Sequence, residues 1–126
     1  MIQLNNDTET TAEKLYDICM IERLCRGNQD QVKKMVKVFI EQLPMAVEEI
    51  KQAYSNGDYT AVRNTTHRIK PTLSYYAIVK IEKDIQQIEA LAKAGFATPE
   101  LESKIAKVEY VVSGVVEKMK TDYLYY

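Results

Sequence analysis

The stretch YTAVRNTTHRIKPTLSYY, running from Tyr59 to Tyr76, decides the fold. Tyr59, Val62, Thr66, Ile69, Leu73 and Tyr76 recur in steps of 3, 4, 3, 4 and 3. That spacing keeps one side chain per turn on a single face of an α-helix. Asp58 stands before the stretch as an N-cap, and Gly57 before that as the stop of an earlier helix. The remaining face is polar, so the helix has one buried side and one solvent side. A single amphipathic helix of this length cannot bury its own stripe and needs neighbours.

Those neighbours are legible on both sides. Upstream, Asn28 followed by Gln31 resembles a capping box that opens a helix reaching about Ser55. Its stripe is Val32, Met35, Val36, Phe39, Leu43, Val47, Ile50 and Tyr54. Downstream, after a bend near Ala77, Ile78, Ile81, Ile85, Ile88 and Ala92 repeat the pattern up to Gly95. Thr98, Pro99 and Glu100 form a helix start, and Leu101, Ile105, Val108, Val112, Val115 and Met119 form its stripe. No alternating β-branched run competes. Pro44 and Pro71 interrupt two stripes that nevertheless continue, so both are expected as kinks within helices, each at about 3 kcal/mol; Pro71 could alternatively start a new helix.

The expectation is an all-α fold, an antiparallel four-helix bundle of helices roughly 17 to 28 residues long, with a short additional N-terminal helix. That short helix is Met20-Ile-Glu-Arg-Leu-Cys25, closed by Gly27. Residues 1–16 read as a flexible N-terminal arm, residues 17–126 as the bundle, and the terminal DYLYY as loosely packed. A chain of 126 residues, 46% hydrophobic and 28% charged, suits one domain.

With 17 Lys and Arg against 18 Asp and Glu, the net charge of -1 gives no bulk reason to bind nucleic acid or an anionic membrane. No stretch reaches the roughly 18 apolar residues of a membrane helix, and MIQLNNDTETTAEK is unlike a signal peptide. The chain is therefore read as a cytoplasmic monomer. Cys19 and Cys25 lack companion zinc ligands and read as reduced, small hydrophobes.

The sole histidine, His67, lies about 140° from the centre of its helix's apolar stripe and so faces solvent. Thr60, Arg63, Asn64, Pro71 and Ser74 share that face, and Lys70 lies one turn on, at the flank of the core. From Tyr59 to Ile81 there are four cations, Arg63, Arg68, Lys70 and Lys80, and no acid, which leaves 13 cations against 18 acids elsewhere. A histidine that accepts a phosphoryl group attacks as the neutral ring, and nearby cations disfavour a further positive charge. The same cations suit a phosphorylated ring, with Lys70 placed to neutralise phosphoryl oxygens in a loose in-line transfer. On charge alone, four cations also describe an ordinary solvated face.

The run HRIKPTLSYYAIVKIEKDIQQIE, from His67 to Glu89, resembles the motif of histidine-containing phosphotransfer domains. There the histidine is followed at +3 by Lys, at +4 usually by Gly, and later by apolar positions ending in Leu-Glu. His67, Lys70, Ile81, Ile88 and Glu89 fall on matching positions, and the layout upstream, LCRGNQDQ, a long helix with a proline and a Gly-Asp turn, is similar too. The resemblance covers about residues 17–94. It departs at Pro71, where Gly is usual, and at Ala77, where a second small residue, commonly Gly, is found.

The resemblance implies a phosphorelay carrier that takes a phosphoryl group on His67 and exchanges it with the aspartate of response-regulator receiver domains, upstream of which stands a sensor histidine kinase. No cofactor of its own is implied, since the receiver brings Mg²⁺, and no autokinase activity, since the chain has no Gly-rich phosphate loop. The docking face would comprise Arg63, Asn64, Arg68, Pro71 and Ser74 with Met20, Ile21 and Leu24 of the short helix. Two other functions compete. A helical adaptor that binds receiver or kinase domains without transfer would have no need of His67 and Lys70. A bundle holding a metal or haem would need inward ligands, whereas the single histidine points outward.

Overall fold

Side-chain caps and left-handed turns set the helix limits in the structure, a computed structural model that describes residues 15–123. Five α-helices follow one another: α1 (Cys19–Leu24), α2 (Gln29–Ser55), α3 (Tyr59–Tyr75), α4 (Glu82–Lys93) and α5 (Pro99–Tyr123). A 3₁₀ turn, Val79–Ile81, leads into α4. The described residues contain no strand, and the all-α reading holds. The carboxamide of Asn28 accepts from the Gln31 amide at 3.1 Å, Asp58 from Ala61 at 3.0 Å and the Thr98 hydroxyl from Leu101 at 3.0 Å. Each cap satisfies an amide that the helix leaves without a carbonyl, worth about 1 kcal/mol.

Pro44 and Pro71 both lie inside helices that run on past them. The third long helix is shorter than its stripe suggests, with 12 α-helical residues in α4, because Ile78 and Ile81 belong to the turn and 3₁₀ segment that precede it.

Contacts at two levels run in opposite chain directions along α2 and α3. Arg68 meets Glu49, while the Tyr76 hydroxyl donates to the Met35 carbonyl at 3.1 Å. Beside the latter, the Phe39 and Tyr76 rings stack with centroids 4.1 Å apart and planes 7° from parallel. α5 closes the bundle against α2 and α4, bringing Lys51 to Glu109 at 2.7 Å and Lys104 and Lys107 to Asp84. Ile21 is fully buried and anchors α1, which at six residues could not persist alone. Burying an isoleucine stabilises by about 1.5 to 3 kcal/mol.

Two terminal expectations need correction. Tyr16, assigned to the flexible arm, is buried, and its hydroxyl donates to one carboxylate oxygen of Asp122 in the last turn of α5, while Lys118 reaches the other at 3.0 Å. The ring of Tyr123 lies 6.5 Å from that of Tyr16, so this part of DYLYY is packed and not loose. A tyrosine whose hydroxyl reaches the second oxygen of a carboxylate gains both burial and a hydrogen bond, which a stripe analysis of the helices does not register. The rest of the arm, residues 1–14, and the last three residues lie outside the described part.

Among the described residues, two polar side chains, Thr66 and Asp84, are buried, and both are satisfied. The Thr66 hydroxyl donates to the Val62 carbonyl at 2.7 Å, which lets a polar residue stand in the apolar stripe. Burial pushes the Asp84 carboxyl up, but hydrogen bonds and charge from Lys107 and Lys104, at 3.0 and 3.2 Å, outweigh it and hold the group below its ordinary value.

α3 ends in a paired hydrogen-bond motif in which Ala77 donates to Ser74 at 3.0 Å and Ile78 to Leu73 at 2.9 Å. The motif requires a left-handed residue, and here Ala77 supplies it at φ 52°. α2 ends in the same way with Gly57 at φ 73°. A side chain in that region costs about 1 to 2 kcal/mol, against about 0.5 to 1 kcal/mol of extra chain entropy lost by glycine. Ala77→Gly should therefore stabilise the fold by about 0.5 to 1 kcal/mol, seen as a higher urea midpoint at unchanged slope.

Asp84, Glu89 and Asp122 are all held below their ordinary values. A depressed carboxyl contributes stability that is complete above its unfolded pKa, about 4, and is lost as pH falls through the folded value. Stability measured by urea titration should be flat near neutrality and fall below about pH 4. In Asp84→Asn that decline should be shallower, and the protein less stable at pH 7, because Lys104 loses its anion.

Candidate functional site

Burial of Val62, Thr66, Ile69 and Leu73 fixes the rotation of α3 and turns residue 67 outward. The His67 side chain is 73% exposed. α4, joined to α3 by the short turn at Ala77, brings Glu89 beside it. One carboxylate then serves two partners: Glu89 Oε2 lies 2.9 Å from His67 Nδ1, and Oε1 accepts from Lys70 Nζ at 2.8 Å.

Glu89 is itself largely covered, with 19% of its side chain exposed. Burial pushes its carboxyl up, and the hydrogen bonds from Lys70 and His67 outweigh that and bring it below its ordinary value. The group is therefore an anion at neutral pH and can only accept. On a neutral imidazole this places the proton on Nδ1 and the lone pair on Nε2. Nε2 has no hydrogen-bond partner among the described residues. The arrangement thus presents a nucleophilic nitrogen to solvent, with its ring oriented from behind by a fixed anion.

Of the residues expected around the histidine, Asn64, Pro71 and Ser74 are exposed on the same face, and Arg63 is half-buried there. Arg68 turns to the neighbouring face, where one guanidinium nitrogen contacts both oxygens of Glu49 at 3.0 Å. In α1, Met20 and Leu24 are exposed at 44% and 57%, whereas Ile21 is 1% exposed. Ile21 is thus a core anchor and not a surface contact, because it is the side chain that this six-residue helix commits to the core. On the Arg68 side of α3 a groove of about 720 Å³ opens against α2, with Val38, Lys34, Thr72 and Tyr75 on its rim and Phe39 and Ile69 in its floor.

Two of the four cations on the expected face are neutralised. The run from Tyr59 to Ile81 has no acid of its own, but Glu49 from α2 and Glu89 from α4 reach across to Arg68 and Lys70. Charge summed along one segment misses what its packed neighbours contribute. Glu89 is the site residue that sequence reasoning left out of the site. It stood at the end of the matching motif, and an acid following core Ile88 on the helix returning along an acid-free segment was the available signal.

Among the described residues, no group of three or more His, Cys, Asp or Glu side chains could hold a metal ion, and no helix is long and apolar enough to cross a membrane. No family model, curated protein or solved structure matches this chain. The functional reading therefore stands on the geometry of the site.

Glu89→Ala tests that geometry directly. As His67 is the sole histidine, its ring nitrogens are resolved by ¹⁵N NMR without assignment. The wild type should show predominantly the Nδ1–H tautomer at neutral ring charge, and Glu89→Ala a marked gain of Nε2–H with unchanged helical circular dichroism. An identical tautomer ratio in the two proteins would show that Glu89 does not set it.

Proposed function

We propose that this protein is a phosphorelay carrier in which His67 accepts a phosphoryl group from the aspartyl phosphate of a response-regulator receiver domain and returns it to another. The observation that carries the reading is the exposed His67 ring, held at Nδ1 by Glu89 with Nε2 unpartnered among the described residues. A catalytic pocket is not required for such chemistry, because the receiver supplies the aspartate and the Mg²⁺, and the carrier needs an accessible nucleophile on a rigid element.

The step balances without a proton transfer. The Nε2 lone pair forms the N–P bond as the P–O bond to the aspartate breaks, and the aspartate leaves as a carboxylate. The ring, with Nδ1–H retained and Nε2 phosphorylated, carries positive charge, which the Glu89 carboxylate stabilises across 2.9 Å. A protonated ring is also the better leaving group, so the same contact supports return of the phosphoryl group to an aspartate. Lys70 keeps Glu89 neutralised on its other oxygen and prevents a bare carboxylate from repelling the incoming phosphoryl oxygens.

Docking is assigned to the face of Arg63, Asn64, Pro71 and Ser74, extended through Arg68 and the adjoining groove to exposed Met20 and Leu24. Apolar area in the groove supplies affinity, and the cations on its rim favour a partner with acids around its reactive aspartate. An adaptor without transfer would use the groove alone and has no use for the oriented ring.

Incubation with a phosphorylated receiver should label the wild type with acid-labile, alkali-stable phosphate. His67→Gln should take no label while keeping its helical content, since an exposed side chain contributes little to the core. Lys70→Ala should slow labelling about 5- to 150-fold, corresponding to a charge-assisted contact of about 1 to 3 kcal/mol. Acid-stable label, or label persisting in His67→Gln, would overturn the proposal.

A further inference from the structure

The four cations of the segment from Tyr59 to Ile81 differ in what they hold. Lys70 is engaged by Glu89 at 2.8 Å and Arg68 by Glu49 at 3.0 Å. Lys80 lies in the 3₁₀ turn beyond the end of α3. Arg63 is left: it forms no ion pair or hydrogen bond with any described residue, although its side chain is half-buried against the bundle. A partly covered arginine packs its aliphatic stem on the surface and keeps its guanidinium at the water, so the head of Arg63 is a cation with no anion committed to it among the described residues.

Arg63 is also one turn before His67 on the same face of α3, which puts their Cβ atoms about 6 Å apart. Helical side chains lean toward the N-terminus, so the His67 ring leans over the turn that carries Arg63. With Nδ1 tied to Glu89 on the α4 side, Nε2 is directed away from that carboxylate. A phosphoryl group on Nε2 would sit within reach of a long, planar, permanently charged side chain whose paired N–H donors match phosphate oxygens.

We propose that Arg63 is the phosphoryl-binding residue of the phosphorylated state, taking the oxygens of the group on Nε2 while Lys70 stays with Glu89. This rests on His67 being the phosphoacceptor, and divides the labour: Glu89 and Lys70 orient the ring from one side and Arg63 receives the cargo from the other. A site already charged in this way prefers the dianionic phosphoryl group, so Arg63 acts on the bound phosphate itself and not only on the approach of a partner.

The experiment needs no receiver. Phosphoramidate, a small-molecule phosphoryl donor, is used to phosphorylate the full chain at its sole histidine, and the ³¹P signal is titrated with pH in wild type, Arg63→Gln, Arg63→Lys and Lys70→Gln. Removing the guanidinium should raise the second phosphoryl pKa by about 0.5 pH unit, the size expected for a solvent-accessible ion pair. Arg63→Lys should recover part of it, and Lys70→Gln should change it less than Arg63→Gln. Superimposable curves for wild type and Arg63→Gln overturn the inference, and so does a change confined to Lys70→Gln, which would mean that Lys70 leaves Glu89 for the phosphoryl group. Transfer between this protein and a receiver is a separate measurement. Its absence alongside an Arg63-dependent titration would refute the carrier function and leave the phosphoryl site standing.

Discussion

The rotation of α3 is the constraint on which the rest depends. An α-helix advances about 100° per residue, so a helix that buries positions 62, 66, 69 and 73 has no freedom in where it puts position 67. Thr66, in the middle of that stripe, is tolerable in the core because its hydroxyl finds the Val62 carbonyl within its own helix. The core thereby holds the neighbouring residue, His67, in solvent. Packing energy distributed over the stripe becomes positional precision for one exposed ring, at no cost in side chains dedicated to holding the backbone there.

Glu89 converts that position into a defined chemical state. Placed beside Ile88, which is wholly buried, it takes its own location from the α4 core stripe. It answers two opposed demands. A carboxylate nearly covered by protein needs donors to remain ionised, and Lys70 and His67 provide them. An exposed imidazole needs an acceptor on one nitrogen to define its tautomer, and Glu89 provides that. Each group satisfies the other, and Lys70 prevents the exchange from leaving a net negative charge against the site where a phosphoryl group would arrive. The proposed relay thus draws its orientation from a contact between two helices and not from a loop.

Much of this was legible in the sequence because it depends on periodicity and on local capping. The stripes locate the helices, Asn28, Asp58 and Thr98 make the cap contacts their positions imply, and the outward angle of His67 follows from arithmetic on its own helix. What was not legible depends on pairs distant in sequence. Glu89 is 22 residues from His67 and Glu49 is 19 from Arg68, so the cationic segment looked uncompensated until its neighbours were in place. Ile21 and Met20 are adjacent and similar in character, and only the packing of α1 against the core decides which one is buried. Tyr16 likewise has no periodic partner to reveal it, because it is held from the far end of the chain by Asp122.

The two departures from the phosphotransfer motif have different physical meanings. At Ala77 the backbone is left-handed, so a glycine there is explained by helix termination alone, and alanine meets the same geometry with a modest strain. At Pro71 the change is local to the site. A proline four residues after His67 has no amide to donate to the His67 carbonyl. α3 continues past it, held by the buried Ile69 and Leu73 on either side, so the helix tolerates the missing bond because its stability lies in the stripe. Pro71 is exposed, and its ring is rigid and close to the backbone. It therefore leaves space above His67 for a partner's surface while offering that surface an apolar contact in place of a polar amide. Under the proposed function, substitution at this position would change what a partner meets beside the ring without touching the Glu89 contact that holds it.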